Sequence, residues 1–390
     1  MVNVSAKPEL LFLSPVVPAL TGNGLAMRAG LVLEALSAQH AVSLLAFRLY
    51  PGPSEEVPEE LHRLCRRVAV LPAPLGAAGP GLWARRIGKL APFYRSPFDV
   101  VHVFRLATLP LARSLVARRT PRPRLNLDLD DVDSVTRARI AALRRANGDL
   151  PVALWEEAEA KRSADAEREA LRTADRVYVS CEPDRRLLAS LGGRAELRVL
   201  PNGVRIPAAP QPAPERDPFR ILFIGTLGYY PNEDAALLLC RKIAPAVRKL
   251  SPIEVRFEIA GGGASPRLQE AAGAAGVHLL GAVPDVKTVY GAAGALVVPL
   301  RAGGGTRIKI LEAFSYGRPV VSTSIGAEGL AVAHETELLI ADTPDAIAAA
   351  CVRLACDPEL RALLAAKGRD LVNRNYSPAA VERALDDSDA

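Results

Sequence analysis

Arg301-Ala302-Gly303-Gly304-Gly305-Thr306-Arg307-Ile308-Lys309-Ile310-Leu311-Glu312-Ala313-Phe314-Ser315-Tyr316-Gly317 is the stretch on which the reading of this chain turns. The run before it, Ala295 to Leu300, is short and apolar and reads as a buried strand. Three glycines then predict a turn with no side chains in the way. Thr306 is expected to cap a helix that runs to Gly317, a residue suited to stop one. A strand, a glycine turn and a helix start make an anion site, because free N–H groups and the helix dipole both favour negative charge there. Arg307 and Lys309 add two cations beside it. Glu312 shares a helical face with Ile308 and Ser315, and a carboxylate among apolar neighbours needs a partner. A ribose diol below a diphosphate on the turn would be one.

Working outward, the second half of the chain alternates strands with helical segments. Strands are predicted at Arg220–Gly225, Val255–Gly261, Val277–Gly281, Ala295–Leu300, Pro319–Ser324 and Leu338–Asp342. That alternation means a parallel sheet covered on both faces. The first half repeats it, with strands at Leu10–Ser14, Ala41–Phe47, Val68–Leu71, Asp99–Phe104, Arg124–Asp130 and Arg176–Ser180. Between the halves, Ile206 to Pro218 is too proline-rich for a helix or a central strand and reads as a linker. The expected fold class is α/β: two tandem doubly wound parallel-sheet, Rossmann-like domains facing across a cleft. The expected domains are residues 1–207 and 219–376, joined by 208–218. A last helix within 377–390 is expected to pack back on the first domain.

The 390 residues suffice for two domains of about 150 to 200 residues each. No apolar run approaches the roughly 20 residues of a membrane span, and the start has no signal-peptide pattern. Cys65, Cys181, Cys240, Cys351 and Cys356 are scattered and form no CxxC, which suits reduced thiols in a cytoplasm. A net charge of +6 favours anionic ligands or an anionic membrane surface. Aromatic residues make up only 5%, which argues against base-stacking on nucleic acid. Residues 81–98 interleave Trp83, Phe93 and Tyr94 with Arg85, Arg86, Lys89 and Arg95, a pattern for peripheral contact with an anionic bilayer or for a solvated basic helix.

Three places in the first half are candidates for the acceptor side. Gly22, Asn23 and Gly24 follow the first strand as an incomplete dinucleotide fingerprint, with Met27 in the third glycine's place. Asp128, Asp130, Asp131 and Asp133 crowd the carboxyl end of a strand, where open α/β sheets bind ligands. Asp133 or Ser134 is assigned to capping the next helix, which leaves Asp130 and Asp131 as a cleft-facing catalytic pair. Nothing else in the chain completes a metal-ligand set, so no metal and no cofactor are expected. His102 lies inside a strand, as a core residue or an acceptor contact. Arg105, just past the strand end, is better placed to face a cleft.

Taken together, the motifs resemble those of GT-B glycosyltransferases, specifically the large retaining group that builds bacterial polysaccharides and glycosylated metabolites. The matching pieces, in order, are Pro201–Val204, Phe223–Thr226 with Pro231-Asn232, Ile259–Gly262, Gly281–Asp285, Gly303–Glu312, Gly317–Ser322 and Gly326–Leu330. The resemblance implies transfer of a sugar from a nucleoside-diphosphate donor to a hydroxyl acceptor with retention. It implies that Glu312 meets the ribose, that Gly303, Gly304, Gly305, Thr306, Gly225 and Thr226 meet the donor, and that Arg307 or Lys309 neutralises the leaving diphosphate. It puts Asp130 where many relatives keep a histidine near the reacting centre. Two departures stand out. Gly304 replaces a second glutamate common in relatives, and Gly225 to Glu233 lacks their basic pair. A nucleotide-sugar epimerase of the same fold, or a non-catalytic nucleotide-sugar-binding subunit, remains an alternative.

Overall fold

The computed structural model describes residues 7–50, 52, 54–72, 96–117, 119–208 and 218–386. The basic–aromatic segment 81–95 and most of the proline-rich linker therefore lie outside the described residues.

Two sheets, each entirely parallel, carry the fold. The first has seven strands: β1 (Glu9–Ser14), β2 (Ala41–Arg48), β3 (Cys65–Pro72), β4 (Val100–Phe104), β5 (Arg124–Asp130), β6 (Arg176–Val179) and β7 (Glu196–Val199). Their order across the sheet is β3-β2-β1-β4-β5-β6-β7. The second has six: β8 (Phe219–Ile224), β9 (Val255–Ala260), β10 (His278–Gly281), β11 (Ala295–Val298), β12 (Val320–Ser322) and β13 (Leu339–Ile340), in the order β10-β9-β8-β11-β12-β13. The central strands are continuous apolar runs, Leu10–Leu13 and Ala295–Val298 among them, and are buried throughout. Helices covering both faces of a parallel sheet require such runs. Strand order reverses between β1 and β4 in one sheet and between β8 and β11 in the other. Ligands in such sheets bind beyond the carboxyl ends of the strands at these reversals. The loop with Gly22 to Gly24 and the loop with Arg105 follow the first reversal, and Gly225 and the three-glycine turn follow the second.

The chain divides into two compact units. One holds residues up to Val132, 162–202 and 378 onward, and the other holds 133–161 and 203–377. In the first, Val381 and Leu385 of the helix Pro378–Leu385 join the apolar cluster around the helix Gly24–Gln39. The sequence reading kept 133–161 in the first domain. The fold instead groups it with the second, because Ile140 and Leu143 of the helix Asp133–Ala146 pack with Ala302 and Tyr230. That helix starts at Asp133, which puts Asp133 and Ser134 in its first turn. Strand β7, with Glu196 and Arg198 on a sheet edge, was not foreseen, since charged residues hid its pattern.

Candidate active site

Between β11 and the helix Ile308–Ser315 the chain turns through the three glycines. Gly303 (φ 137°) and Gly305 (φ 62°) take left-handed backbone that a side chain would resist. The three carbonyls are all held by guanidinium groups. Arg139 Nη1 donates to Gly303 O at 2.9 Å. Arg307 Nη1 donates to Gly304 O and, at 2.7 Å, to Gly305 O. In a trans peptide the next N–H points away from the carbonyl. Withdrawing these carbonyls therefore turns the amides of Gly304 and Gly305 the other way, and neither amide donates to a described residue. Two successive amides without an internal acceptor, at the start of a helix, suit a phosphate.

This corrects two expectations. Thr306 does not cap the helix: Arg307 holds the cap position with extended backbone (φ −92°, ψ 99°) and no side-chain cap. Arg307 is also not a free cation. It is buried, and Nη2 reaches Ile325 O at 3.3 Å, so its charge shapes the turn from behind. The helix ends as expected: Gly317 (φ 69°) follows it, Gly317 N–H donates to Phe314 O and Arg318 N–H to Ala313 O. This pair of bonds satisfies the last carbonyls.

Glu312 is 8% exposed. Tyr290 Oη stands 3.1 Å from Glu312 Oε2 and 3.1 Å from the Lys309 carbonyl, with one proton to share between them. Tyr316 stacks on Tyr290 at 5.2 Å. Burial pushes the Glu312 carboxyl up to about 7, against the Tyr290 bond and the Lys309 charge. Burial, aided by Arg307, pushes the half-buried Lys309 ammonium down to about 7. Lys309 Nζ donates to Asn232 Oδ1 at 2.8 Å and lies 4.7 Å from the Phe223 ring centre. Asn232 Nδ2 in turn donates to Thr226 O at 3.0 Å. Asn232 thus ties the cation to the loop after β8. Gly225 has no side chain because a Cβ there would stand 2.8 Å from Lys309 Nζ and 2.9 Å from Asn232 Cγ. Gly225→Ala can be accommodated by shifting the lysine head and the amide, so the melting temperature should hardly change. Nucleoside-diphosphate affinity should fall about tenfold, the worth of one charge-assisted bond. Calorimetric titration on the folded variant checks this.

In the first unit, β5 ends in a network of charges. Asp128 is fully buried and takes a two-pronged bond from Arg28, whose Nη2 donates to Asp128 Oδ1 at 2.7 Å and Nε to Oδ2 at 3.0 Å. Arg28 Nη1 donates to Leu200 O and to Asn202 Oδ1, both at 3.0 Å. Asn202 Nδ2 then donates to Asp130 Oδ1 at 3.2 Å. Asp130 sits in left-handed backbone (φ 67°), unusual for a residue with a side chain. Burial lifts its carboxyl to about 6, opposed by Arg28 and Arg105 and reinforced by Asp131. Arg105 pairs with Asp131 and, at 3.8 Å, with Asp130, and it also donates to Leu129 O at 2.7 Å. Asn23 caps the helix that follows it, accepting from Ala26 N–H at 2.9 Å, with Gly22 (φ 104°) making the bend before it.

His102 is withdrawn as an acceptor contact. It is fully buried, stacked between Phe12 (5.3 Å) and Tyr178 (5.8 Å), and neither ring nitrogen has a hydrogen-bond partner. Burial lowers it to about 4 from its ordinary 6.5. As pH falls through that window the unfolded chain takes up the proton first, so stability is lost by about 3 kcal/mol by the bottom of it. His102→Leu should match or exceed the parent melting temperature at pH 7 and lose less of it at pH 5, as scanning calorimetry at the two pH values will show.

The residues that the sequence reading did not single out are Arg28, Tyr290 and Arg139. Asn202 and Asn232 were quoted only as parts of motifs. Among the described residues no group of three or more His, Cys, Asp or Glu side chains is placed to hold a metal ion.

Comparison with known proteins identifies the two halves of the chain. Residues 23–203 match the Glycosyl transferase 4-like domain, and residues 218–357 match Glycosyl transferases group 1. Together these cover more than half of the chain, which belongs to the group 1 glycosyltransferase family. The solved structures it resembles have the GT-B fold. Sucrose-phosphate synthase of Thermosynechococcus elongatus is 17% identical, with 97% of each chain covered and a TM-score of 0.73. HepE of Anabaena, solved with UDP and glucose, is 15% identical, with 97% and 98% covered and a TM-score of 0.67. A TarM mutant of S. aureus, solved with UDP, fondaparinux and α-GlcNAc-glycerol, is 12% identical, with 96% and 98% covered and a TM-score of 0.69. A curated relative, an uncharacterized 44.6 kDa protein in the cps region of Klebsiella pneumoniae, is 30% identical over 130 residues. That match spans about a third of the relative's length (33%) and 31% of this chain.

Proposed function

We propose that the protein moves a sugar from a nucleoside-diphosphate donor to a hydroxyl acceptor, a polysaccharide, lipid-linked sugar or small aglycone, with retention at the anomeric carbon. The observation that carries this is the glycine turn, whose carbonyls are held by Arg139 and Arg307 while the amides of Gly304 and Gly305 donate to no described residue. The diphosphate sits on those amides with Lys309 beside it, and the ribose hydroxyls donate to Glu312. The sugar C1–O bond to the diphosphate breaks, the acceptor oxygen bonds to C1 on the same face, and negative charge grows on the leaving phosphate. Fixed N–H dipoles and an ammonium at that point lower the barrier, by about 3 kcal/mol per good donor. Lys309, pushed down to about 7 in the free protein, becomes more fully protonated as the diphosphate arrives. Asp130 orients the acceptor hydroxyl or receives its proton. Retention rests on the family resemblance. A cytoplasmic place, peripheral to the inner face of a membrane, fits a lipid-linked acceptor, and no described helix is long and apolar enough to cross one.

Binding of UDP, GDP and dTDP, followed by transfer from the matching sugar nucleotides to an acceptor panel, tests the reading. No binding of any of the three would remove it. Binding with a new sugar formed from donor alone would favour an epimerase.

A further inference from the structure

We propose that Arg139 is a positioning residue for the diphosphate, setting the shape of the glycine turn through its carbonyl and its ion pair with Glu328. This rests on the nucleotide reading above. Arg139 Nη1 donates to Gly303 O at 2.9 Å, while Nη2 donates to Glu328 Oε1 at 2.8 Å and Nη1 pairs with Oε2. One guanidinium therefore joins three pieces of chain: its own helix, the glycine turn, and the residue that follows the short helix Ser324–Ala327. Gly303 is the residue whose left-handed backbone starts the bend, so the bond acts where the turn's direction is decided.

The helix bearing Arg139 is itself pinned to the residues leading into the turn. Ile140 and Leu143 pack on Ala302 and Tyr230. Arg144 lies 3.6 Å from the Tyr230 ring centre. Asn147 Nδ2 donates to Asp234 Oδ1 at 2.8 Å, and Asp234 holds Arg301 at 2.8 Å through Nε. Arg301, Ala302 and Gly303 are thus all oriented by, or through partners of, one helix. A merely structural ion pair explains this poorly. The Arg139 and Glu328 side chains are 33% and 34% exposed, and pairs that open to water add little to stability. Their effect should therefore fall on the shape of the anion site more than on folding.

The test is calorimetric titration of full-length protein with UDP, GDP and dTDP, beside melting curves. Arg139→Ala should bind whichever nucleotide the parent binds about tenfold more weakly, the lower end for a bond to a charged group that is partly solvated. Its melting temperature should stay within about 2 °C. Millimolar guanidinium chloride should restore part of the lost affinity in the variant and none in the parent, a response that a general loss of structure would not give. Arg139→Met, which keeps the apolar stem, carries the same comparison should the alanine variant not fold. Nucleotide affinity within twofold of the parent in a folded variant overturns this role and leaves the proposed function standing. If the parent binds none of the three, both fall.

Discussion

Arg28→Met will lower the melting temperature by about 10 °C, from a loss of about 3–5 kcal/mol when one partner of a buried ion pair is removed. The guanidinium is 1% exposed and the Asp128 carboxylate 0%, so water reaches neither. Four acceptor atoms depend on it: both Asp128 oxygens, the Leu200 carbonyl and the Asn202 amide oxygen. Methionine fills much of the space and serves none of them. The uncompensated carboxylate is the larger part of the cost, which a second variant isolates. Arg28→Met combined with Asp128→Leu should recover most of the stability, since replacing a whole buried pair by apolar groups is often neutral. Asp130 should respond as well, because Arg28 pulls its carboxyl down. Without that charge the Asp130 carboxyl is pushed further up, so it ionises later on the pH scale. Thermal melts of the three proteins settle the matter, and a single variant melting within 3 °C of the parent would show that the pair is dispensable.

Removing Glu312 or Lys309 should weaken nucleoside-diphosphate binding by about ten- to a hundredfold each, the range for bonds to charged groups. Their pH responses should run in opposite directions. Lys309 has been pushed down to about 7 and Glu312 up to about 7. Binding to a diphosphate needs the ammonium, so the lysine contribution fades as pH rises through 7. Acceptance of the ribose hydroxyls needs the carboxylate, so the glutamate contribution fades as pH falls through 7. The parent should show an affinity maximum near neutrality. Glu312→Gln should leave only the lysine limb, with affinity falling steadily from pH 6 to 9. Lys309→Met should leave only the glutamate limb, with affinity rising over the same range. The same shifts affect folding. The depressed Lys309 costs stability below its ordinary value and less of it as pH rises from 7 toward 10.5. The raised Glu312 costs stability increasingly as pH rises from 4.5 to 7. Titrations of both variants across that range check the signs, and parallel profiles in the two would contradict the assignment.

The chain's own pattern determined the two parallel sheets and the place of the glycine turn. Apolar runs such as Leu10–Leu13 and Ala295–Val298 must be buried on both faces, and a glycine run between a strand and a helix leaves the backbone free to bend there. Strand limits were legible for the same reason: Arg220–Gly225 was expected and Phe219–Ile224 is found. What only the tertiary structure decided is where long polar side chains end. Arg307, beside the turn in sequence, folds back onto its carbonyls, while Arg139, far away in sequence, supplies the other guanidinium. Arg28 looks like any basic residue of a helix until the sheet and Leu200 close over it. His102 proved to be core because Phe12 and Tyr178 flank it on neighbouring elements. Periodicity reports burial within one element, since it follows from backbone geometry. The partner of a flexible charged group follows from which distant backbone groups packing brings within about 3 Å of it, and no local pattern records that.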